Sequence, residues 1–177
     1  MPLPRIFLNP DKETGIEKLH HPWLFTGAIG KKEEIEDGGP CDVYRSDGKT
    51  FFGRGYYNSQ SKIVVRLLTR DPVDTIDEAF FRKRFQELKE QREQFLDSEK
   101  TNAYRIAFAE SDGLPGLILD RYGETYVIQI HTLGMDRLRD ILVLAIRNVF
   151  EPKSIYERSD TQVRLLDGLK DCPSRLL

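Results

Sequence analysis

Between the strand-like runs Tyr104 to Ala109 and Leu117 to Tyr122 the chain reads Glu110-Ser-Asp-Gly-Leu-Pro-Gly116. Two turn signals stand side by side there, Asp112-Gly113 and Pro115-Gly116. Proline sets φ near the value that the second turn position needs, and glycine takes positive φ without steric cost. A helix cannot run through such a segment, so the chain reverses and its flanks pair as strands. Two carboxylates, Glu110 and Asp112, sit at the mouth of the turn, and Asp120-Arg121 follow on the outgoing strand. Carboxylates near turns commonly bond their own backbone, whereas loops on a rigid scaffold also carry function. The residues alone leave both readings open.

Upstream of this turn, short strands dominate. Arg5 to Leu8 reads as a first strand. Pro22 to Ile29 reads as a short helix with proline in its first turn and Gly30 at its end. Lys31 to Asp37 is a charged, solvated run, and Gly38-Gly-Pro40 a turn. Cys41 to Ser46, Phe51 to Tyr57 and Lys62 to Leu68 are further strands, with Asp47-Gly48 as a hairpin signal. Gly53 and Gly55 alternate within a strand, which implies a bend or a close backbone approach. Closely spaced short strands favour a small barrel. Residues 76–97 then form a helix. Thr75-Ile-Asp-Glu78 fits a capping box with Thr75 as the cap, and Phe81, Phe85, Leu88 and Phe95 recur on one face. Beyond the turn, Tyr126 to His131 is a strand. Met135 to Phe150 is a helix with the stripe Leu138, Ile141, Leu142, Ala145 and Val149, stopped by Pro152. Ser154 to Glu157 and Gln162 to Leu166 are strands again. The organisation is α+β: a β-barrel unit over 1–74, a connecting helix over 75–100 and a small α+β unit over 101–177.

Charge and cysteines narrow the function classes. Lys and Arg number 27 against 29 Asp and Glu, a net charge of −2 at pH 7. Global charge therefore gives no support to nucleic-acid binding, and any such contact must use a local patch. The two cysteines, Cys41 and Cys172, show no metal-ligand spacing. His20 and His21 are adjacent, which does not place both on one metal; they read as polar groups ahead of the short helix. The start Met-Pro-Leu-Pro-Arg lacks the pattern of a signal peptide. No apolar run approaches the roughly 18 residues of a membrane span. A reducing cytoplasm is the expected compartment.

Three stretches, in order, resemble the ribosomal RNA large-subunit methyltransferase I family of S-adenosylmethionine-dependent RNA cytosine-C5 methyltransferases. They are His20-His-Pro-Trp-Leu-Phe-Thr-Gly-Ala-Ile29, Glu110-Ser-Asp-Gly-Leu-Pro-Gly-Leu-Ile-Leu-Asp-Arg-Tyr122, and Ile155-Tyr-Glu-Arg-Ser-Asp160 followed by Arg164 and Asp167-Gly-Leu169. The resemblance runs from about residue 5 to about residue 169. It implies an N-terminal PUA domain, which is a small RNA-binding pseudo-barrel, and then a strand-strand-helix-strand-strand middle domain. It also implies that the Rossmann-like catalytic domain, its nucleophilic cysteine and the S-adenosylmethionine site lie beyond this stretch. Eight residues follow Leu169, where a single βαβ unit needs roughly 30. The tail Asp171 to Leu177 departs from the family's continuation. The expectation is an N-terminal two-domain part, inactive by itself, that would hold no cofactor and no metal. Its expected partners are large-subunit ribosomal RNA and the missing C-terminal methyltransferase domain, with no membrane; the resemblance leaves room for a homodimer. The alternative is a self-standing, non-catalytic RNA-binding or protein-interaction module, or a truncated or frameshifted chain.

RNA contacts would come from the barrel. Trp23, Phe25, Tyr56 and Tyr57 can stack on bases, although Trp23 reads first as a core anchor. Arg45, Arg54, Lys62 and Arg66, with Lys31 and Lys32, can reach phosphates. Arg54 stands out because Gly53 and Gly55 flank it and leave its guanidinium accessible. In the second unit Glu110, Asp112, Arg158 and Asp160 would form an interdomain or substrate-facing surface; the plain alternative is that Arg158 pairs with Asp160 or Asp112. A hydrolase built on Glu110, Asp112 and Asp120 is a weaker reading. No residue is assigned as catalytic: Cys172 lacks a nearby base, and Cys41 reads as a small buried side chain.

Overall fold

The computed structural model describes residues 2–19, 21–97, 99–170 and 172–177; His20 lies outside them. The first sheet has six strands: β1 (Arg5–Leu8), β2 (Trp23–Phe25), β3 (Ile29–Lys32), β4 (Pro40–Tyr44), β5 (Phe51–Tyr57) and β6 (Ile63–Thr69), in the order β2-β6-β5-β4-β1-β3. Only β1 and β4 run parallel; every other pair is antiparallel. The two edges, β2 and β3, are joined by the three residues Thr26–Ala28 alone. So short a tether obliges the sheet to curl until its edges approach each other. The concave side holds Ile6, Leu8, Leu24, Cys41, Val43, Val65 and Leu67, all buried.

The second sheet has the order β11-β10-β9-β8-β7. Strands β7 (Ala103–Phe108), β8 (Leu117–Tyr122) and β9 (Thr125–Ile130) form an antiparallel meander. Helices α3 (Leu133–Arg137) and α4 (Arg139–Phe150) then return the chain to β10 (Ser154–Glu157), parallel to β9, and β11 (Arg175–Leu176) pairs antiparallel with β10. The helix before this sheet, α2 (Glu78–Glu93), buries Phe80, Phe81, Phe85 and Leu88. Phe85 packs against Phe150 of α4 with ring centroids 6.2 Å apart. Its apolar face therefore lies in the core of the second sheet, beside Leu117, Leu119, Ile128, Ile130 and Ile146. Tyr56 and Leu68 of the first sheet belong to that same core.

Local physics explains where the elements depart from the sequence expectations. Pro22 to Ile29 is a strand and one 3-10 turn, because Leu24 pairs with Val65 and is buried between the more exposed Trp23 and Phe25. Burial that alternates in this way has the period of a strand. Lys31 and Lys32 belong to β3, paired with Phe7 and Ile6. A helix absent from the expectations, α1 (Pro10–Leu19), starts on Asn9, whose side chain accepts the Asp11 N–H at 3.3 Å. The cap of α2 is Asp77 and not Thr75: Asp77 Oδ1 accepts the Phe80 N–H at 3.0 Å, so the helix starts at Glu78 and ends at Glu93. Phe95 lies past that end and is 88% exposed. Gln162–Asp167 is a 3-10 helix stopped by Gly168 at φ 77°, not a strand.

Gly55 shows what the alternating glycines do. A Cβ there would stand 2.0 Å from the Arg66 carbonyl oxygen, which is backbone of the paired strand and cannot swing aside. Replacing Gly55 by alanine must separate β5 from β6. Gly55→Ala is expected to lower stability by at least about 3 kcal/mol, read as a fall in the urea midpoint at unchanged slope.

Candidate functional site

The turn after β7 is held by its own backbone and by the first sheet. Ala109 takes φ 44° and Gly113 φ 70°, and the Leu114 N–H donates to the Ala109 carbonyl at 3.0 Å. Asp112 closes the turn: its Oδ2 accepts the Phe108 N–H at 2.7 Å and an Arg92 Nη at 2.5 Å. The Tyr56 hydroxyl, from β5, donates to the Pro115 carbonyl at 2.8 Å and accepts from Thr132 Oγ1 at 2.8 Å. Burial pushes that phenol far above its ordinary range, so it stays protonated. Gly116, at φ 81°, has Thr132 so close that a Cβ would lie 2.4 Å from its side chain. Gly134 would likewise meet the Tyr56 ring at 2.0 Å.

Glu110 faces away from Asp112 and toward the first sheet. Its Oε1 accepts the Trp23 indole N–H at 2.8 Å. Trp23 lies on edge strand β2, with the His21 ring edge-on at 4.8 Å and Phe25 at 6.2 Å. Trp23 is thus neither a core anchor nor free; it is half-buried and clasped across the seam between the sheets. On one side of this clasp opens a crevice of about 620 Å³. Lys62, Arg66, His131, Val163, Leu166 and Asp167 line it with Trp23 and Glu110. On the other side lies a smaller cleft lined by Arg70, Phe80, Arg84 and Gly113, with Glu110 again at its border.

Arg66 and Asp167 form the most buried ion pair of the crevice, at 2.9 Å with side chains 8% and 3% exposed. The contact is close but poorly aligned, because Arg66 Nε and Asp167 Oδ1 have no hydrogen-bond partner among the described residues. Asp167 Oδ2 accepts the Leu133 N–H at 2.8 Å, and the Asp167 carbonyl accepts from Asn58 Nδ2 at 2.9 Å. His131 is held below its ordinary value near 6.5, first by burial and then by the Arg164 charge, with Glu110 opposing.

Of the barrel residues expected to meet RNA, the structure brings Trp23, Lys62 and Arg66 to this crevice; Phe25, Lys31, Lys32, Arg45 and Arg54 are not among its lining, and Tyr56 and Tyr57 are buried elsewhere. The Arg54 guanidinium is not accessible as its flanking glycines suggested: it grips the cross-strand Asp42 at 2.6 and 3.1 Å and also donates to the Asp74 carbonyl. Arg45 pairs with Glu17 of α1. Lys62 is exposed and has no ion pair among the described residues. In the second unit, Asp112 pairs with Arg92, and Arg158 lies 3.8 Å from Asp160 on the surface, so no ion pair joins the two halves of that expected cluster. The sequence reading missed His131, Val163, Leu166 and Asp167. Leu165-Leu166 ahead of Asp167-Gly168 was the available signal, an apolar pair entering a turn. It also missed buried Glu157, set 3.0 Å from both Arg139 and Arg175. Both cysteines are buried and free. Burial pushes the Cys41 thiol up to about 12, and burial with the nearby Glu157 charge raises Cys172. No helix among the described residues is long and apolar enough to cross a membrane.

Two measurements probe this seam. Tyr56→Phe strands the buried Pro115 carbonyl and is expected to cost about 1–3 kcal/mol in urea unfolding. For His131 the folded value is the lowered one, so the unfolded chain takes up the proton first. Stability therefore falls as pH drops through 6.5 and recovers above it. His131→Gln is expected to flatten that slope in thermal melts taken from pH 7 to pH 5.

Comparison with known proteins finds longer relatives that share this region. A family model described as PUA-like domain matches residues 6–70. The chain is 36% identical over 168 residues to ribosomal RNA large subunit methyltransferase I of Pseudoalteromonas atlantica and 37% over 167 residues to that of Aeromonas hydrophila. Each alignment covers 94% of this chain and 42% of the relative. A solved chain from Streptococcus mutans, described as a candidate SAM-dependent methyltransferase, superposes with a TM-score of 0.76 at 23% identity, over 100% of this chain and 43% of that one. That likeness shows a shared fold. The chain thus spans less than half the length of the relatives it matches, and it is homologous to the N-terminal part, about 42%, of ribosomal RNA large subunit methyltransferase I, with a PUA-like domain at its start.

Proposed function

We propose that this chain is the RNA-binding and substrate-positioning N-terminal part of an S-adenosylmethionine-dependent large-subunit rRNA cytosine-C5 methyltransferase. The observation that carries the reading is the alignment of 94% of the chain with proteins named ribosomal RNA large subunit methyltransferase I, together with the PUA-like domain match over residues 6–70. Three units serve the role: 1–74 to hold RNA, 75–100 to connect, and 101–177 to present the turn and its acidic residues toward a methyltransferase domain. RNA and that domain are the partners, and the cytoplasm is the compartment.

The residues present do not fit S-adenosylmethionine. A site for it needs glycines that let backbone approach the ligand and an acid for the ribose hydroxyls. Gly53 and Gly55 are instead packed against β6, and the next elements after β5 are β6 and α2, with no helix following the glycines directly. No step of methyl transfer is therefore assigned to residues of this chain. What they can do is hold a strand: exposed Lys62 at one cleft and Arg70 and Arg84 at the other flank Trp23, and cations so placed fix phosphates without reading sequence.

Filter retention of a large-subunit rRNA fragment tests this. With two or three phosphates neutralised, a fourfold rise in salt is expected to weaken binding roughly tenfold, and Lys62→Glu to weaken it at every salt. Purified residues 1–177 are expected to transfer no methyl group from S-adenosylmethionine. Absence of RNA retention at low salt overturns the binding role, and methylation of the fragment overturns the positioning role.

A further inference from the structure

We propose that the crevice beside Trp23 is a pocket for one unpaired nucleobase of a single-stranded RNA segment. The proposal rests on the RNA-binding reading and assigns it a place and a form of ligand. At about 620 Å³ the crevice has the volume of a small-molecule site, the size class of a single nucleotide.

Its charge selects the part of the nucleotide that enters. Lys62 and Arg66 are offset by Glu110 and Asp167, all on the crevice wall. A phosphate buried there would meet two carboxylates, whereas a neutral heterocycle meets none of that repulsion. Its hydrogen-bonding pattern points the same way. Arg66 and Asp167 are 7% and 2% exposed; Asp167 Oδ1 already faces Arg66 Nη2 at 2.9 Å in a poorly aligned contact, and Arg66 Nε has no acceptor among the described residues. Buried polar atoms without partners are rare in folded proteins. A base edge carries an acceptor of the kind that Arg66 Nε, at the crevice floor, is without.

The faces complete the pocket. The Trp23 ring forms one wall, its plane fixed by the 2.8 Å bond to Glu110, so no ordering is left for the ligand to impose. Val163 and Leu166, 53% and 76% exposed on the 3-10 helix Gln162–Asp167, line the same crevice. Exposed apolar side chains of this kind are unexplained by the core and suit the face of a base. Lys62, exposed at the mouth, is free to take the attached phosphate. Base stacking on an aromatic ring with a cation nearby is how proteins hold unpaired RNA.

Trp23 is the sole tryptophan, so intrinsic fluorescence reports on this wall alone. Oligouridylate and oligoadenylate single strands are expected to quench it saturably, and the duplex formed from the two to leave it unchanged. Leu166→Asp changes a side chain that is mostly in solvent, so its circular dichroism and urea midpoint should match the parent. It is expected to weaken quenching by single strands roughly tenfold, and Arg45→Ala, outside the crevice, to leave it unaltered. If single strands are retained on filters while Trp23 emission does not move, or duplex quenches equally, or Leu166→Asp has no effect, the pocket is wrong and RNA binds elsewhere. If no RNA form is retained at all, the RNA-binding reading falls with it, as it would for a crevice that takes a protein segment instead.

Discussion

The Tyr56 side chain is the joint between the two sheets. It leaves β5, enters the core of the second sheet, and ends in hydrogen bonds to the Pro115 carbonyl and Thr132. Two glycines exist in their present form because of that placement: Gly134 makes room for the ring, and Gly116 lets the turn sit against Thr132. The turn at 109–116 is therefore not a free loop. Its apex is tied to the first sheet, and this tie sets Glu110 within reach of Trp23. A buried, protonated hydroxyl is well suited to the task, since it gives and receives one bond each without the desolvation cost of a charge.

Much of the fold was legible because its signals are local. Strands β5 to β9 are bounded by Gly, Pro and Asp-Gly turns, and the stripe of α4 repeats at helical spacing. Helix α1 was not legible, because among its described side chains Ile16 alone packs on the core. The segment 22–29 carried helix punctuation but was decided by pairing with β6, a tertiary contact that single-segment propensity does not contain. The same limit governs the candidate site. Trp23, Lys62, Arg66 and Glu110 were picked out by chemical type, and the fold gathers them. Arg54 was misjudged because its glycines serve strand packing, and Asp42, its partner, lies on the neighbouring strand. Asp167 and Leu166 come to the crevice from far along the chain, and the apolar pair before Asp167-Gly168 marks a turn without saying which strand it meets.

The arginines divide into two populations. Arg54, Arg92 and Arg105 are locked onto Asp42, Asp112 and Asp120 and hold strands or turns together. Arg70 borders the cleft beside exposed Lys62's crevice without an ion pair among the described residues, and Arg84 next to it is held only loosely by Glu87 at 3.4 Å. This division reconciles an overall charge of −2 with a local capacity for anions: most carboxylates are already engaged, so the net balance says little about the field at any one groove.

The three-residue link between β2 and β3 has a kinetic side. Because those strands form opposite edges of one sheet, a slip of β2 along β6 drags β3 along β1, and a one-residue slip would turn buried Leu24 toward solvent. Neither edge can settle before the other. The first sheet must acquire its registry as a single event that waits on contacts between distant segments, which is the slow kind of step. The seam beside Trp23 lies on one of those edges, so its geometry is set by the same registry.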